Sequence, residues 1–316
     1  MTRHAACLAL LLTLAPAARA QDVGFSGMVR IAADAYLTVN DRKNTRDPGE
    51  RLGILTVTAK GSTFRPLPVA DWRDPDDGEP NDLEAVCAVP GRPDEYLLGE
   101  SGRYKKKFGR LFHVRVTRDA AGGWKAECLK AFHLPRPAPD DEGTTWPGDE
   151  VEGMACIPGT GKDVPVLVLG ARGGQGRAAY QPAQLVWGDL DLTTYAFTPR
   201  GAHALGTVKG FKNERGCADL HVAETNGGWE VWSVAVRDEG DAGPFHSVVY
   251  RAGVFTRAVG ALAFVAEAEP SVRLHLHGLK VEALAAPPRC VPRAGFAVAT
   301  DDENYGGVWR PLFPSP

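Results

Sequence analysis

Four carboxylates recur at intervals of 68, 67 and 63 residues: Glu84, Glu152, Asp219 and Glu282. Each lies in a short, mostly apolar segment, namely Asp82-Leu83-Glu84-Ala85-Val86, Glu150-Val151-Glu152-Gly153-Met154, Cys217-Ala218-Asp219-Leu220-His221 and Lys280-Val281-Glu282-Ala283-Leu284. A second charged set follows the next apolar run of each repeat. It comprises Asp41 and Arg42, Glu100 and Arg103, Arg172, Arg237-Asp238-Glu239, and Asp301-Asp302-Glu303-Asn304. Gathered carboxylates suit a hard cation such as calcium, which takes about 6–8 oxygen ligands. Guanidinium forks beside them suit a phosphate or carboxylate group, whose oxygens they bind two at a time. The candidate metal ligands are therefore Glu84, Glu152, Asp219, Glu282, Asp301, Asp302 and Glu303, and the candidate substrate-binding residues are Arg42, Arg103, Arg172 and Arg237. A structural reading competes with this for the repeated carboxylates. A charged residue set down once per repeat also serves to cap backbone N–H groups of the next repeat.

The elements that must position these residues are short strands. A first apolar run carries the carboxylate, and a second follows it: Tyr36–Val39, Tyr96–Leu98, Val166–Leu169, Val231–Val234 and Phe296–Val298. Third runs fall at Leu52–Val57, Leu111–Val116, Leu185–Leu192, Ser247–Tyr250 and Val308–Leu312. Fourth runs fall at Phe64–Val69, Trp124–Phe132, Tyr195–Leu205 and Ala258–Val265. Four strands repeating with a period near 65 residues predict an all-β propeller of about five blades, with six as the alternative. A pair of packed sheets is the competing architecture, but it leaves the repeated carboxylate unexplained. The last repeat runs out of chain after its third strand. Val23–Ser26 is expected to supply the missing outer strand and to close the ring, which hides two sheet edges. In such a ring, first-strand entrances and second-to-third loops share one face, so both charged sets converge on one mouth of the central channel.

The segments Asp82–Ala85 with Glu100-Ser101-Gly102-Arg103, then Val151–Met154, then Gly278–Leu284, resemble the phytase-like propeller family, also called esterase-like. The resemblance implies a propeller fold and calcium-dependent phosphomonoester hydrolysis in an acidic channel mouth, with basic side chains holding the phosphate. No complete set of calcium ligands matches. The one lysine cluster, Lys105-Lys106-Lys107, also reads as a solvated turn.

Outside the repeats, residues 1–20 read as a signal peptide: a basic start at Arg3, an apolar run Ala5–Leu14 too short to span a bilayer, and a small-x-small site at Ala18-Arg19-Ala20. Residues 21–316 are then one domain, expected in a periplasm or outside the cell. A net charge of -3 leaves no nucleic-acid footprint, and no later segment is apolar enough to cross a membrane. Five cysteines follow the leader, an odd number without a CxxC pair, which favours buried thiols over a disulfide framework. The glycine-rich stretch Gly170–Arg177 fits no phosphate-binding fingerprint, and Ser101 lacks a nucleophile elbow. His275 and His277 alternate on one strand and face one side, but two histidines without a third ligand favour packing. Two functions fit these residues: a metal-dependent phosphoesterase, or a non-catalytic propeller that recognises a protein, a glycan or a small anion. A purely structural role fits less well, because a scaffold needs no clustered arginines.

Overall fold

The computed structural model describes residues 23–43, 49–58, 60–74, 78–101, 109–134, 150–175, 180–211, 215–258 and 261–313. The first blade is β1 (Gly27–Ala32), β2 (Ala35–Val39), β3 (Leu52–Thr58) and β4 (Gly61–Pro66). The second is β5 (Leu83–Ala88), β6 (Glu95–Glu100), β7 (Arg110–Arg118) and β8 (Trp124–His133). The third is β9 (Val151–Gly161), β10 (Val164–Ala171), β13 (Gln184–Asp191) and β14 (Ala196–Ala204), with the small hairpin β11 (Gly174–Gln175) and β12 (Tyr180–Gln181) inserted. The fourth is β15 (Leu220–Thr225), β16 (Gly228–Asp238), β17 (Phe245–Ala258) and β18 (Ala261–His277). The fifth is β19 (Val281–Ala285), β20 (Phe296–Thr300) and β21 (Trp309–Leu312). Every blade is an antiparallel meander, with four strands in blades 1 to 4 and three in blade 5. The protein is thus a five-bladed β-propeller, as its repeat predicts. No helix among the described residues is long and apolar enough to cross a membrane.

The apolar runs are nearly continuous because both faces of every blade are covered. Alternate side chains of a strand point to opposite faces. Leu37 and Val39 therefore pack against blade 2, with Leu83 and Leu98, while Tyr36 packs against blade 5, with Ala299 and Trp309. Five apolar clusters result, one for each interface between neighbouring blades. Each fully buried Leu or Val contributes about 1.5–3 kcal/mol relative to an exposed one. The ring is therefore the sum of five such seams rather than one central core.

Backbone bonds at the channel mouth stitch one blade to the next. The Asp82 N–H donates to the Arg42 carbonyl (3.2 Å), the Glu150 N–H to the Ser101 carbonyl, and the Gly216 and Cys217 N–H groups to the Arg172 carbonyl (3.0 and 3.2 Å). In each case the loop after a second strand accepts from the entrance of the following blade. The N-terminal segment closes the ring by the same device: the Phe25 N–H donates to the Thr300 carbonyl (3.1 Å). Val23–Ser26 thus joins blade 5 to blade 1 at the mouth, and not along the outer edge of blade 5 where the repeat count placed it. The other departure lies in blade 4. Its outer hairpin is far longer than the apolar runs suggest, with 14 residues in β17 and 17 in β18, because exposed, polar-rich positions continue the pairing.

Asp219 fastens blade 4 to blade 5. Its Oδ1 accepts the Leu220 N–H (2.7 Å) and its Oδ2 accepts the Leu284 N–H (2.6 Å). Removing both acceptors strands two buried donors. Asp219→Ala should lower the unfolding free energy by about 2–4 kcal/mol, and Asp219→Asn, which keeps one acceptor oxygen, by about half as much. Urea denaturation of the purified variants measures this.

Candidate active site at the channel mouth

The four repeated carboxylates share a local device that the sequence hides. In blade 2, Leu83 pairs with Glu100 and Ala85 with Gly99, so Glu84 is the extra residue of a β-bulge. In blade 3, Val151 pairs with Ala171 and Gly153 with Gly170, leaving Glu152 in the same position. In blade 5, Val281 pairs with Thr300 and Ala283 with Ala299, leaving Glu282. Bulges re-aim a side chain that the regular pleat would send between the sheets. The turn into β5 and into β9 is correspondingly left-handed, at Asp82 (φ 68°) and Glu150 (φ 66°). Beside Glu152, Gly153 is required by close approach, since a Cβ there would lie 2.6 Å from the Leu220 backbone nitrogen. Blade 4 shifts register at the same place, since the Ala218 N–H donates to the Val234 carbonyl (2.8 Å) and the Val234 N–H to the Asp219 carbonyl (3.3 Å), but the Asp219 carboxylate is taken up by the Leu220 and Leu284 N–H groups.

Glu84, Glu152 and Glu282 are close enough to act on one another's ionisation. Burial, then the charges of Glu152, Asp82, Glu282 and Asp41, push the Glu84 carboxyl well above the usual range. Glu84 shares a side-chain hydrogen bond with Asp82. Burial raises Glu282 too, while Lys280 and Arg215 oppose that rise. Arg215 stands 2.7 Å from Glu282 and 3.4 Å from Asp238. Lys280 lies 3.1 Å from Glu282 and also meets Glu303. Arg172 lies 3.5 Å from the buried Glu152. Lys43 bridges Asp82 (2.8 Å) and Asp41 (3.0 Å). The mouth is therefore a ring of carboxyls in which every one of these four cations already faces a carboxylate.

The remaining candidates divide by geometry. Asp302 accepts the Lys280 backbone N–H (2.7 Å) and the Thr300 hydroxyl (2.8 Å), so it holds the turn that carries Asp301 and Glu303. Asp301 is buried against Gly24 and accepts the Glu303 N–H (3.3 Å). Arg42 contributes its carbonyl to the stitch at Asp82. Arg237 is half exposed and faces Glu239 (2.5 Å), outside the ring of Glu84, Glu152 and Glu282. Arg103 and the lysine cluster lie outside the described residues. Sequence reasoning missed Arg215 and Lys43. Arg215 has a signal, two residues before Cys217-Ala218-Asp219, but no other repeat carries an arginine there to mark it.

Asp41, Asp82 and Glu84 each offer an oxygen within 4.8 Å of the other two, which is cation-binding spacing. Deeper along the inner strands lies a cavity of about 190 Å³, lined in part by Met28, Arg30, Cys87, Met154, Cys156 and His221. Burial and the nearby Arg30 push the His221 imidazole down to about 4. The Cys87 and Cys156 sulfurs lie 3.3 Å apart as thiols, and the described cysteines are all free.

No family model and no curated protein matches this chain. Solved structures do. An α-L-arabinanase of Cellvibrio cellulosa, complexed with arabinohexaose, superposes with a TM-score of 0.50 at 12% identity over 92% of this chain and 91% of that one. A GH43 endo-arabinanase from Bacillus licheniformis gives 0.48 at 10% identity, covering 94% and 96%. RAG, in complex with one melted and one unmelted RSS, gives 0.47 at 13% identity, covering 93% and 83%. At these identities the likeness is one of fold.

Burial and the charges of Glu282 and Asp41 raise the Asp301 carboxyl to about 7. The unfolded chain ionises this group near pH 4 while the folded protein keeps it protonated. Its contribution to stability therefore falls as pH rises from about 4 to 7. Asp301→Asn should match the parent near pH 4 and exceed it by about 1–3 kcal/mol at pH 8. Thermal or urea unfolding across that pH range tests this.

Proposed function

We propose that this protein is an exported hydrolase whose channel mouth cleaves a glycosidic bond, with Glu84 as general acid and Glu152 as general base. The observation that carries the reading is a buried carboxyl, pushed well above its usual range, beside a second carboxyl that faces an arginine. Hydrolysis of a glycoside needs one carboxyl that keeps its proton and a second that stays ionised. Burial and four surrounding carboxylates hold the proton on Glu84. Arg172, on the other side of the ring, lies 3.5 Å from the Glu152 carboxylate. Glu84 donates its proton to the departing glycosidic oxygen, water attacks the anomeric carbon, and Glu152 takes a proton from that water. Glu282, locked by Arg215 and Lys280, shapes the field rather than exchanging protons.

The charge of the mouth decides between substrate classes. Arg172, Arg215, Lys280 and Lys43 all face carboxylates. A phosphate dianion would have to compete with those carboxylates for every one of them, whereas an uncharged sugar hydrogen-bonds to the same groups. The reading rests on this geometry and not on likeness of fold, since one fold hosts many chemistries.

A calcium-dependent phosphoesterase of the phytase-like kind is the second reading. The convergent oxygens of Asp41, Asp82 and Glu84 favour it. A calcium ion there would displace Lys43 and the Glu84 proton, and would supply the positive charge that a phosphate needs.

One set of samples separates the two. The mature chain is assayed against aryl glycosides, arabinan and galactan, and against phosphate monoesters with and without calcium. Glycoside turnover that needs no calcium and falls at least 100-fold in Glu84→Gln is the expected result. Phosphate release that requires calcium, or no turnover on any glycoside, overturns it. Mass spectrometry of protein recovered from the cell envelope or medium of the expressing cell should place the mature N-terminus near Gln21.

A further inference from the structure

His275 and His277 gain a third partner that lies 29 residues from His275 in the chain. His246 is near the start of β17, and its cross-strand neighbour on β18 is His277. Its Nε2 lies 3.2 Å from His275 Nδ1. Its ring stacks on His277 with centroids 4.0 Å apart and planes 27° apart. The three imidazoles thus share one face of a two-stranded ribbon, whose backbone pairing fixes their spacing. Phe211 packs edge-on against His246 at 4.9 Å and holds that ring in place. His275 and His277 are exposed, so the cluster is open to solvent.

The 3.2 Å separation admits two explanations. It is a hydrogen bond between neutral rings of opposite tautomer, or it is the gap between two ligands of one ion. Two imidazole nitrogens, each bound at about 2.0–2.1 Å to a tetrahedral metal, stand about 3.3–3.4 Å apart. The observed gap already matches this, with no backbone movement. Ligation also needs neutral imidazoles. Arg237, the neighbour of His246 on β16, is turned to Glu239 at 2.5 Å.

We propose that His246, His275 and His277 form a binding site for a divalent transition-metal ion, on the outer strands of blade 4. Imidazole-only donors select zinc, copper(II) or nickel over calcium and magnesium, which require oxygen ligands. His246 and His275 supply the first two nitrogens in their present positions, and His277 supplies the third by rotation about its side-chain bonds. This site is independent of the carboxylate ring. A metal here would pin the β17–β18 hairpin, whose first turns run beside the channel mouth.

The test uses the full chain carrying no histidine tag. Equilibrium dialysis against zinc chloride, followed by metal analysis, is expected to give one zinc per chain. Excess calcium should not displace it. His275→Asn and His246→Gln should each weaken binding at least tenfold, with unchanged circular dichroism. The Asp82→Asn variant, which alters the acidic mouth, should bind as the parent does. Copper(II) loaded at one equivalent should show nitrogen hyperfine coupling from at least two imidazoles in its paramagnetic resonance spectrum. The proposal is overturned if no stoichiometric zinc binds, if the histidine variants bind as well as the parent, or if Asp82→Asn removes the site. A copper spectrum with only oxygen ligands overturns it as well.

Discussion

Burying carboxylates at the channel mouth is costly, and the structure depends on how that cost is met. An ionised carboxylate loses several kcal/mol on burial unless hydrogen bonds or a cation replace its water. Each blade meets the demand differently. Asp219 takes two backbone N–H groups, one of them from the next blade. Glu100 accepts the N–H groups of Asn81, Gly109 and Arg110, and pairs with the fully buried Arg110 guanidinium. Glu282 takes Arg215 and Lys280. Glu84 is left among like charges, which together with burial push its carboxyl well above the usual range.

This gradient of compensation links architecture to chemistry. The same repeated position that stitches the ring also generates carboxyls of unequal acidity. Where the backbone claims the oxygens, the residue is structural. Where the backbone leaves them unclaimed, the bulged side chain joins its neighbours over the channel. Three bulged glutamates from blades 2, 3 and 5 therefore meet, although about 200 residues separate the first from the last. The stitches beside them are backbone bonds and carry no side-chain requirement, so the loop residues were free to diversify into Arg42, Ser101, Arg172 and Thr300.

Ring closure imposes a second constraint. Five apolar seams must be equally well filled, because a propeller with one loose seam opens there. Blade 5 has only three strands, yet Phe25 and Met28 from the N-terminus complete its seam with blade 1. Closure through the inner end keeps the covalent start of the ring and its hydrogen-bonded finish at the same mouth as the carboxylates.

The repeat spacing, the apolar runs and the recurring carboxylate were legible along the chain, and together they determined an all-β ring of about five blades. They were legible because blades buried on both faces demand strand-length apolar runs at a regular period. The convergence of the charged sets on one face followed from the same topology. Which carboxylates face the channel was decided only in three dimensions. Glu152 and Asp219 occupy matching places in the repeat, and what separates them is that two backbone N–H groups, one from the next blade, claim the Asp219 oxygens. Arg215, Lys43 and His246 carried no local pattern, since their partners lie on other strands or other blades. Periodicity reports which face a residue takes. It does not report bulges, charge pairing between blades, or the proton a crowded carboxyl must keep, because those arise only when distant segments share one low-dielectric space.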